Sequence, residues 1–286
     1  MAVLFGAILG VLQPASAMGD DLTWVGCGVS KKAFMSALAK AYEAKTGVGI
    51  SLSGGGATRG IRAPAAGESD MGGSCRHLID APEEKNARLV PVGWDALVAI
   101  THPSNPIRDI SLAQLTSVFT GIIVNWRDLG GPDKPIKVVV REGKISGVGR
   151  MARELIFKDP DEDYPPAVTT LPESGPIEEL IEQDETAIAL TGISSSRKRT
   201  LNLLSVDGVA PTYENVASGS YPFFRPLYLV TSKTPSDKVK DFIKFATRDE
   251  GQDIIRSEGT VTLKDGSRLW PKYRESMKEA RQIGNY

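Results

Sequence analysis

Apolar residues along this chain alternate between two rhythms. Leu22-Thr-Trp-Val-Gly26 is a short apolar run of the kind that a buried strand shows. After Cys27-Gly28-Val29-Ser30 the spacing changes: Phe34, Ala37, Leu38, Ala41 and Tyr42 recur at i, i+3, i+4, i+7 and i+8, which predicts one buried stripe on a helix with Ser30 as its N-cap. Residues 49–53 read as the next strand and meet a glycine-rich turn, Gly54-Gly-Gly-Ala-Thr-Arg-Gly60; the short segment Asp70-Met-Gly72 then runs into a third turn, Gly73-Ser-Cys-Arg76. Ser111-Leu-Ala-Gln114 is a capping box ahead of Leu115, Val118 and Phe119, and Lys137-Val-Val-Val-Arg141 reads as a buried strand. Residues 241–255 read as one amphipathic helix, flagged upstream by the cap Ser236. Strand, turn and helix alternating in this way predict an α/β fold with mostly parallel sheets.

Two apolar stretches, residues 92–101 and 225–231, have the character of crossings between two lobes. The expected plan is therefore discontinuous: residues 18–93 with 226–286 form lobe 1, residues 94–225 form lobe 2, and two strands make the hinge. Leu269, Tyr273 and Met277 at spacing four predict a C-terminal helix, expected to pack on the first lobe.

Composition narrows the functional classes. With 286 residues, 41% hydrophobic and 24% charged, the chain suits a soluble globular protein and not a multi-span membrane protein. Its 34 basic and 35 acidic residues leave a formal charge of −1, so no global positive field argues for nucleic acid. Residues 1–17 hold an apolar run too short to span a bilayer, closed by Ala15-Ser16-Ala17, and are expected to be a signal peptide cleaved after Ala17. No Lys or Arg precedes that run, which leaves the true start open, and no Cys follows it, so the expected product is a freely soluble periplasmic protein. The two histidines, His77 and His102, lack zinc-site spacing, and no GxSxG elbow is present; no metal, cofactor or catalytic residue is expected.

What remains is a set of turns suited to an anion. Helix N-termini supply backbone N–H groups and a favourable dipole, and in open α/β sheets the strand-to-helix turns gather at the carboxyl ends of the strands. Four such turns are rich in small and hydroxyl residues: Ser30, Ala57-Thr58, Ser74-Cys75-Arg76, and Arg141 with Ser146-Gly147. Each member also has a plain structural reading, Ser30 and Ser146 as caps, Arg76 and Arg141 as surface or ion-paired residues.

Four separated motifs give these turns a family likeness. Asp70-Met-Gly-Gly-Ser-Cys-Arg76, Ile122-Ile-Val-Asn-Trp126 with Gly130-Gly131, Val138-Val-Val-Arg-Glu142 followed by Ser146-Gly147, and Phe224-Arg-Pro-Leu-Tyr228 stand in the order of the family's signatures. The chain resembles the PstS-like periplasmic phosphate-binding receptors of ABC transporters over residues 22 to 263. The resemblance implies a type II periplasmic binding fold with two lobes, an interlobe cleft, and a tetrahedral oxyanion held by Ser30, Ala57, Thr58, Arg76, Arg141, Ser146 and Gly147, with Cys75 beside them. It implies capture of that ion, foremost phosphate, by a monomer that delivers it to a membrane permease and performs no covalent chemistry.

The departures from the family pattern matter as much. Ala57, Cys75 and Val148 stand where the family has hydroxyl residues, and the loop between Arg141 and Ser146 is one residue longer than usual. Lys31 and Lys32 open the first helix, as added positive potential or as solvated surface. Cys27 and Cys75 are expected beside the same cleft, and three readings stand for them: a disulfide, a thiol pair for a thiophilic ligand such as arsenite or a metal ion, or two small buried residues. The alternative function is a ligand-sensing receptor that presents its closed form to a membrane histidine kinase.

Overall fold

The structure of the protein, a computed structural model, describes residues 21–283; the expected leader at residues 1–17 lies outside them. The chain opens with β1 (Leu22–Gly26) and α1 (Gly28–Ser30), which runs through a π-helical turn at Lys31–Met35 into α2 (Ser36–Thr46). Next come β2 (Ile50–Ser53), α3 (Gly56–Ala66) and β3 (Met71–Ser74). β1 lies between β2 and β3 and is parallel to both, as strands joined by crossover helices must be.

β4 (Ala87–Thr101) then leaves this lobe, and its residues from Val92 onward are all buried. The second lobe follows with β5 (Asp109–Ile110), α4 (Leu112–Phe119), β6 (Lys137–Arg141) and α5 (Gly147–Ala152), which continues through a π-helical turn at Arg153–Phe157. It goes on with β7 (Thr169–Leu171), α6 (Ser174–Gln183), β8 (Ala187–Gly192), α7 (Ile193–Ser196), β9 (Asn202–Leu203), β10 (Ser205–Val206) and α8 (Tyr213–Ser218). β11 (Phe224–Ser232) returns to the first lobe, followed by α9 (Asp237–Thr247), α10 (Asp249–Ser257) and α11 (Leu269–Ile283).

One sheet runs through the whole molecule in the order β2-β1-β3-β11-β4-β8-β6-β7, with β9 also beside β4. The outer strands of each half are parallel, and the two crossing strands are antiparallel to their neighbours. β4 divides its partners: residues 87–96 pair with β11, and Leu97–Thr101 pair with β8. The fold is a type II periplasmic binding architecture of two α/β lobes joined by that strand pair.

Each lobe has its own apolar core. Trp24, Phe34, Leu38, Leu227, Phe242 and Ile255 belong to the first, and Phe119, Trp126, Val139, Met151, Ile188 and Tyr221 to the second. Caps locate several helices where the residue pattern predicts them: Ser111 and Gln114 close both bonds of a capping box on α4, and Ser236 caps α9 by accepting from the Val239 amide.

Three sequence expectations are corrected. Residues 241–255 do not form one helix, because Arg248 is extended and serves as the last cap of α9 and the first of α10, whose opening Asp249 and Glu250 suit the dipole. The first helix starts at Gly28 with Cys27, not Ser30, as its N-cap. Third, α11 packs on both lobes and not on the first alone: Leu269, Tyr273 and Met277 join the core that holds the second lobe, while Trp270 also packs against Ile61, Ala65, Tyr228 and Val230 of the first. The reason is Trp94 on the crossing strand, whose ring meets Trp270 at 4.5 Å and Tyr273 at 6.1 Å, while Lys158 in the second lobe donates to Ser276.

Candidate functional site

A cavity of about 200 Å³ lies between the lobes at the carboxyl ends of β1, β2, β3, β6 and β7. Four helix starts line it: Cys27 to Val29 on α1, Gly54 to Ala57 on α3, Gly147 and Val148 on α5, and Glu173 to Gly175 on α6. The first N–H groups of a helix have no intrahelical partner, so the walls of this space present donors and converging positive dipole ends. Cys75, Lys31 and Arg141 complete the lining.

Two glycines shape it. Gly56 has φ of +74°, a left-handed turn that lets the chain double back into α3, and a Cβ there would stand 3.2 Å from an Nη of Arg141. Gly147 approaches the opposite lobe so closely that a Cβ would lie 2.4 Å from Cys75 Sγ and 2.8 Å from Ala57 Cβ.

Of the nine residues predicted for the site, the fold gathers Cys27, Ala57, Cys75, Arg141 and Gly147 at the cavity and leaves Ser30, Thr58, Arg76 and Ser146 out of its lining. Ser30 is buried behind the wall, with its hydroxyl 3.0 Å from Cys27 Sγ. Ser146 is the N-cap of α5: its hydroxyl accepts from the Gly149 amide and donates to Gly143 O. Thr58 donates to Ile145 O across the cleft and lies toward a neighbouring groove.

Arg76 departs furthest from expectation. It is fully buried, and its guanidinium binds both oxygens of Glu84 at 2.6 and 3.0 Å, His77 O at 2.8 Å, Ile145 O at 2.8 Å and Thr58 Oγ1 at 3.4 Å. Those bonds use its five donors, so none points into the cavity. Burial pushes the Glu84 carboxyl up, but the bonds from Arg76 and the Ile79 amide, together with the charges of Arg76 and Arg62, hold it below its ordinary value.

Arg141 is half-buried and, among the described residues, bonds only Glu142 O, at 3.0 Å. Burial lowers its guanidinium, against the opposing pull of Glu173, the two cysteines and Glu142, and an arginine so placed remains a cation at neutral pH.

Further contacts close the lobes over the cavity. Lys32 reaches from the first lobe to Glu178 at 3.4 Å and to Ser195 Oγ at 3.1 Å; His77 meets Glu154 at 3.4 Å. Lys31 lines the cavity instead, so the two adjacent lysines have different roles. Behind the thiols, Arg225 and Asp95 form a fully buried pair at 3.1 Å, from which Arg225 reaches Gly147 O at 3.4 Å and Asp95 accepts from the amide and hydroxyl of Ser194.

The start of α6 lies outside the four turns that the sequence pattern picks out. Its signal is present in Pro172-Glu-Ser-Gly-Pro176, a helix-start composition after a strand, but without the hydroxyl-plus-arginine pattern of the other turns. The sequence pattern marks Arg225 only as part of a crossing strand. No group of His, Cys, Asp and Glu among the described residues could hold a metal ion, and no described helix is long and apolar enough to cross a membrane.

Comparison with known proteins agrees with this architecture. A family model described as a PBP superfamily domain matches residues 23–250. The phosphate-binding protein PstS of Borreliella burgdorferi is 31% identical over 199 residues, spanning 67% of this chain and 71% of that protein. PstS of Bacillus subtilis is 26% identical over 261 residues, or 87% and 85% of the two chains. A Clostridium perfringens structure assigned as a phosphate ABC transporter substrate-binding protein, with bound phosphate, superposes with a TM-score of 0.78 and 31% identity over 85% of this chain and 99% of that one.

Proposed function

The chain belongs to the PBP superfamily, among its PstS-like phosphate-binding receptors, and from that membership we propose that it captures inorganic phosphate between its lobes in the periplasm and hands it, as a monomer, to a membrane ABC permease. The observation that carries the reading is the cavity wall: four helix N-termini and the guanidinium of Arg141 face one enclosed space of about 200 Å³. Backbone donors and a planar fork suit the oxygens of a tetrahedral anion, and removal from water strengthens each such bond.

Phosphate contacts Gly28 and Val29, Gly56 and Ala57 from the first lobe, and Arg141, Gly147 and Val148 from the second. A ligand bound by both walls favours the closed state by its differential affinity, with β4 and β11 as the hinge. The closed surface is what a permease recognises. No reaction is assigned to the cavity. The similarity to phosphate receptors favours phosphate over arsenite as the cargo.

Calorimetric titration of phosphate into the mature protein, freed of bound anion, tests this. Saturable one-to-one binding in the reduced or the oxidised protein is expected. A protein that takes up no phosphate in either state would remove the assignment.

A further inference from the structure

Cys27 and Cys75 are the only cysteines of the chain, and the fold delivers both sulfurs to one spot. β1 and β3 are parallel neighbours with Gly26 opposite Gly73, so the residues that leave their carboxyl ends emerge side by side. Both are free thiols, both line the cavity, and their Sγ atoms stand 3.4 Å apart. A disulfide bond spans about 2.05 Å, so closure needs roughly 1.4 Å of movement, within reach of modest rotation at two adjacent loops. The phosphate reading gives neither thiol a task.

We propose that Cys27 and Cys75 are a thiol–disulfide switch that sets the oxyanion affinity of the cavity they line, tighter when oxidised and weaker when reduced. The proposal rests on the phosphate reading for the identity of the ligand. In the reduced protein three groups able to donate to a thiolate surround Cys27 Sγ: the Cys75 thiol, with its sulfur 3.4 Å away, the Ser30 hydroxyl at 3.0 Å and the Ser30 amide, which donates at 3.3 Å. That environment favours a thiolate. The Cys27 thiol is lowered to about 6, chiefly by the bond from Cys75, against burial, with the Ser30 bonds and the charge of Arg225 assisting; the same bond and burial push Cys75 well up.

The charged groups around the pair are Arg225 on β11, its partner Asp95 on β4, Arg141 at the end of β6, and Lys31 and Glu173 on the cavity wall. Arg225 is already neutralised by Asp95, so the reduced wall opposes an entering anion with a negative sulfur. Oxidation removes that charge.

The oxidant is a disulfide-bearing molecule. The Cys27 thiolate attacks one of its sulfurs, the oxidant's S–S bond breaks, and one thiolate leaves. The Cys75 thiol passes its proton to that thiolate and attacks Cys27 Sγ, and the second thiolate departs. Two electrons move from the protein to the oxidant, which becomes one thiol and one thiolate that takes its proton from water. Cys27 is the attacking sulfur because it is the more accessible, 7% exposed against 1% for Cys75. Gly147 of the second lobe covers Cys75 so closely that a Cβ there would stand 2.4 Å from its Sγ, so exchange belongs to the open cleft and bound phosphate slows it.

The test treats the phosphate-free, full-length mature protein with oxidised glutathione, counts thiols, and titrates phosphate at about pH 8 and about pH 5. An intramolecular disulfide is expected, with phosphate affinity raised about tenfold at the higher pH, the effect of one nearby charge, and less than about twofold at the lower, where both sulfurs are neutral thiols. A reductant reverses it. Cys27→Ser should bind like the oxidised protein without any oxidant and show no response to it, and Cys75→Ser should stall as the mixed disulfide of Cys27 with glutathione and form no intramolecular bond. Failure to form the disulfide in the phosphate-free protein, or a disulfide that leaves phosphate affinity unchanged at both pH values, overturns the switch while the phosphate reading stands. A protein that forms the disulfide yet binds phosphate in neither state overturns the phosphate reading and the affinity claim with it.

Discussion

Arg76 lies just beyond β3 and Arg141 ends β6, both strands point at the cleft, and both guanidinium groups are drawn out of water, yet they end in opposite situations. Arg76 is fully buried with its five donors spent on Glu84, two carbonyls and Thr58; Arg141 keeps one bond, to Glu142 O, and turns the rest of its fork to the cavity. Saturation separates the two roles. A saturated arginine holds the protein together and has nothing left for a ligand, whereas an unsaturated one on a cavity wall awaits an anion. Arg76 still serves the site, because its bond to Ile145 O ties the first lobe to the loop that places Ser146 and Gly147.

The sharpest way to break the comparison is to exchange the symptoms. Arg76→Ala leaves the buried Glu84 carboxylate with only Arg62, at 3.5 Å, and the Ile79 amide, and should destabilise the protein by about 3 kcal/mol. Chemical unfolding would read that loss. Phosphate affinity of the fraction that remains folded should change little; an intact stability with lost binding would place Arg76 among the ligands after all. Arg141→Ala should do the reverse, weakening phosphate binding about a hundredfold, the worth of a charge-assisted fork of about 2–3 kcal/mol, with a melting temperature close to that of the parent.

This contrast also marks where residue order stops being informative. Runs such as Lys137–Arg141 and the stripe from Phe34 to Tyr42 reveal strands and helices because burial imposes its period on the sequence. The turns beyond β1, β2, β3 and β6 are legible for the same reason: they sit where the period changes. Whether an arginine in such a turn is saturated depends on Glu84 and Ile145, residues 8 and 69 positions away from Arg76, and no local pattern records that. The tail is a similar case. Its stripe is plain, but the surface it covers is created by Trp94, far back in the chain. Cys27 and Cys75 were legible as neighbours because adjacent parallel strands bring their ends together, although a 3.4 Å separation of free sulfurs required the fold.

A smaller effect sharpens the comparison from the acid side. The Glu84 carboxyl has a depressed value in the folded protein, so its contribution to stability is complete above its unfolded value of about 4.3 and is lost as pH falls through the lower folded value. Unfolding free energies measured from neutral pH down to about pH 3 should fall in that acid window. Glu84→Gln, which has no proton to gain, should show a shallower decline even though it starts from a less stable protein. Equal slopes for the two would mean that the Arg76–Glu84 pair does not couple to protons, and its value would have to be steric.

The least effect is expected at the mouth, where charges remain in contact with solvent. Lys31 and Glu173 both line the cavity, one adding to the field of Arg141 and the other subtracting from it. Among the described residues neither has an ion pair of the kind that fixes Lys32 to Glu178, so each acts on phosphate through screened space. Lys31→Gln should weaken binding roughly twofold to threefold and Glu173→Gln should strengthen it by a similar factor, about 0.5 kcal/mol each. Titrations at low and at molar salt distinguish this from direct contact. Both changes should vanish at high ionic strength, where the Debye length shrinks to about 3 Å, while the loss in Arg141→Ala should persist. If the Lys31 effect survives the salt, its ammonium touches the ligand, and the anion sits nearer the start of the first helix than the cavity wall alone implies.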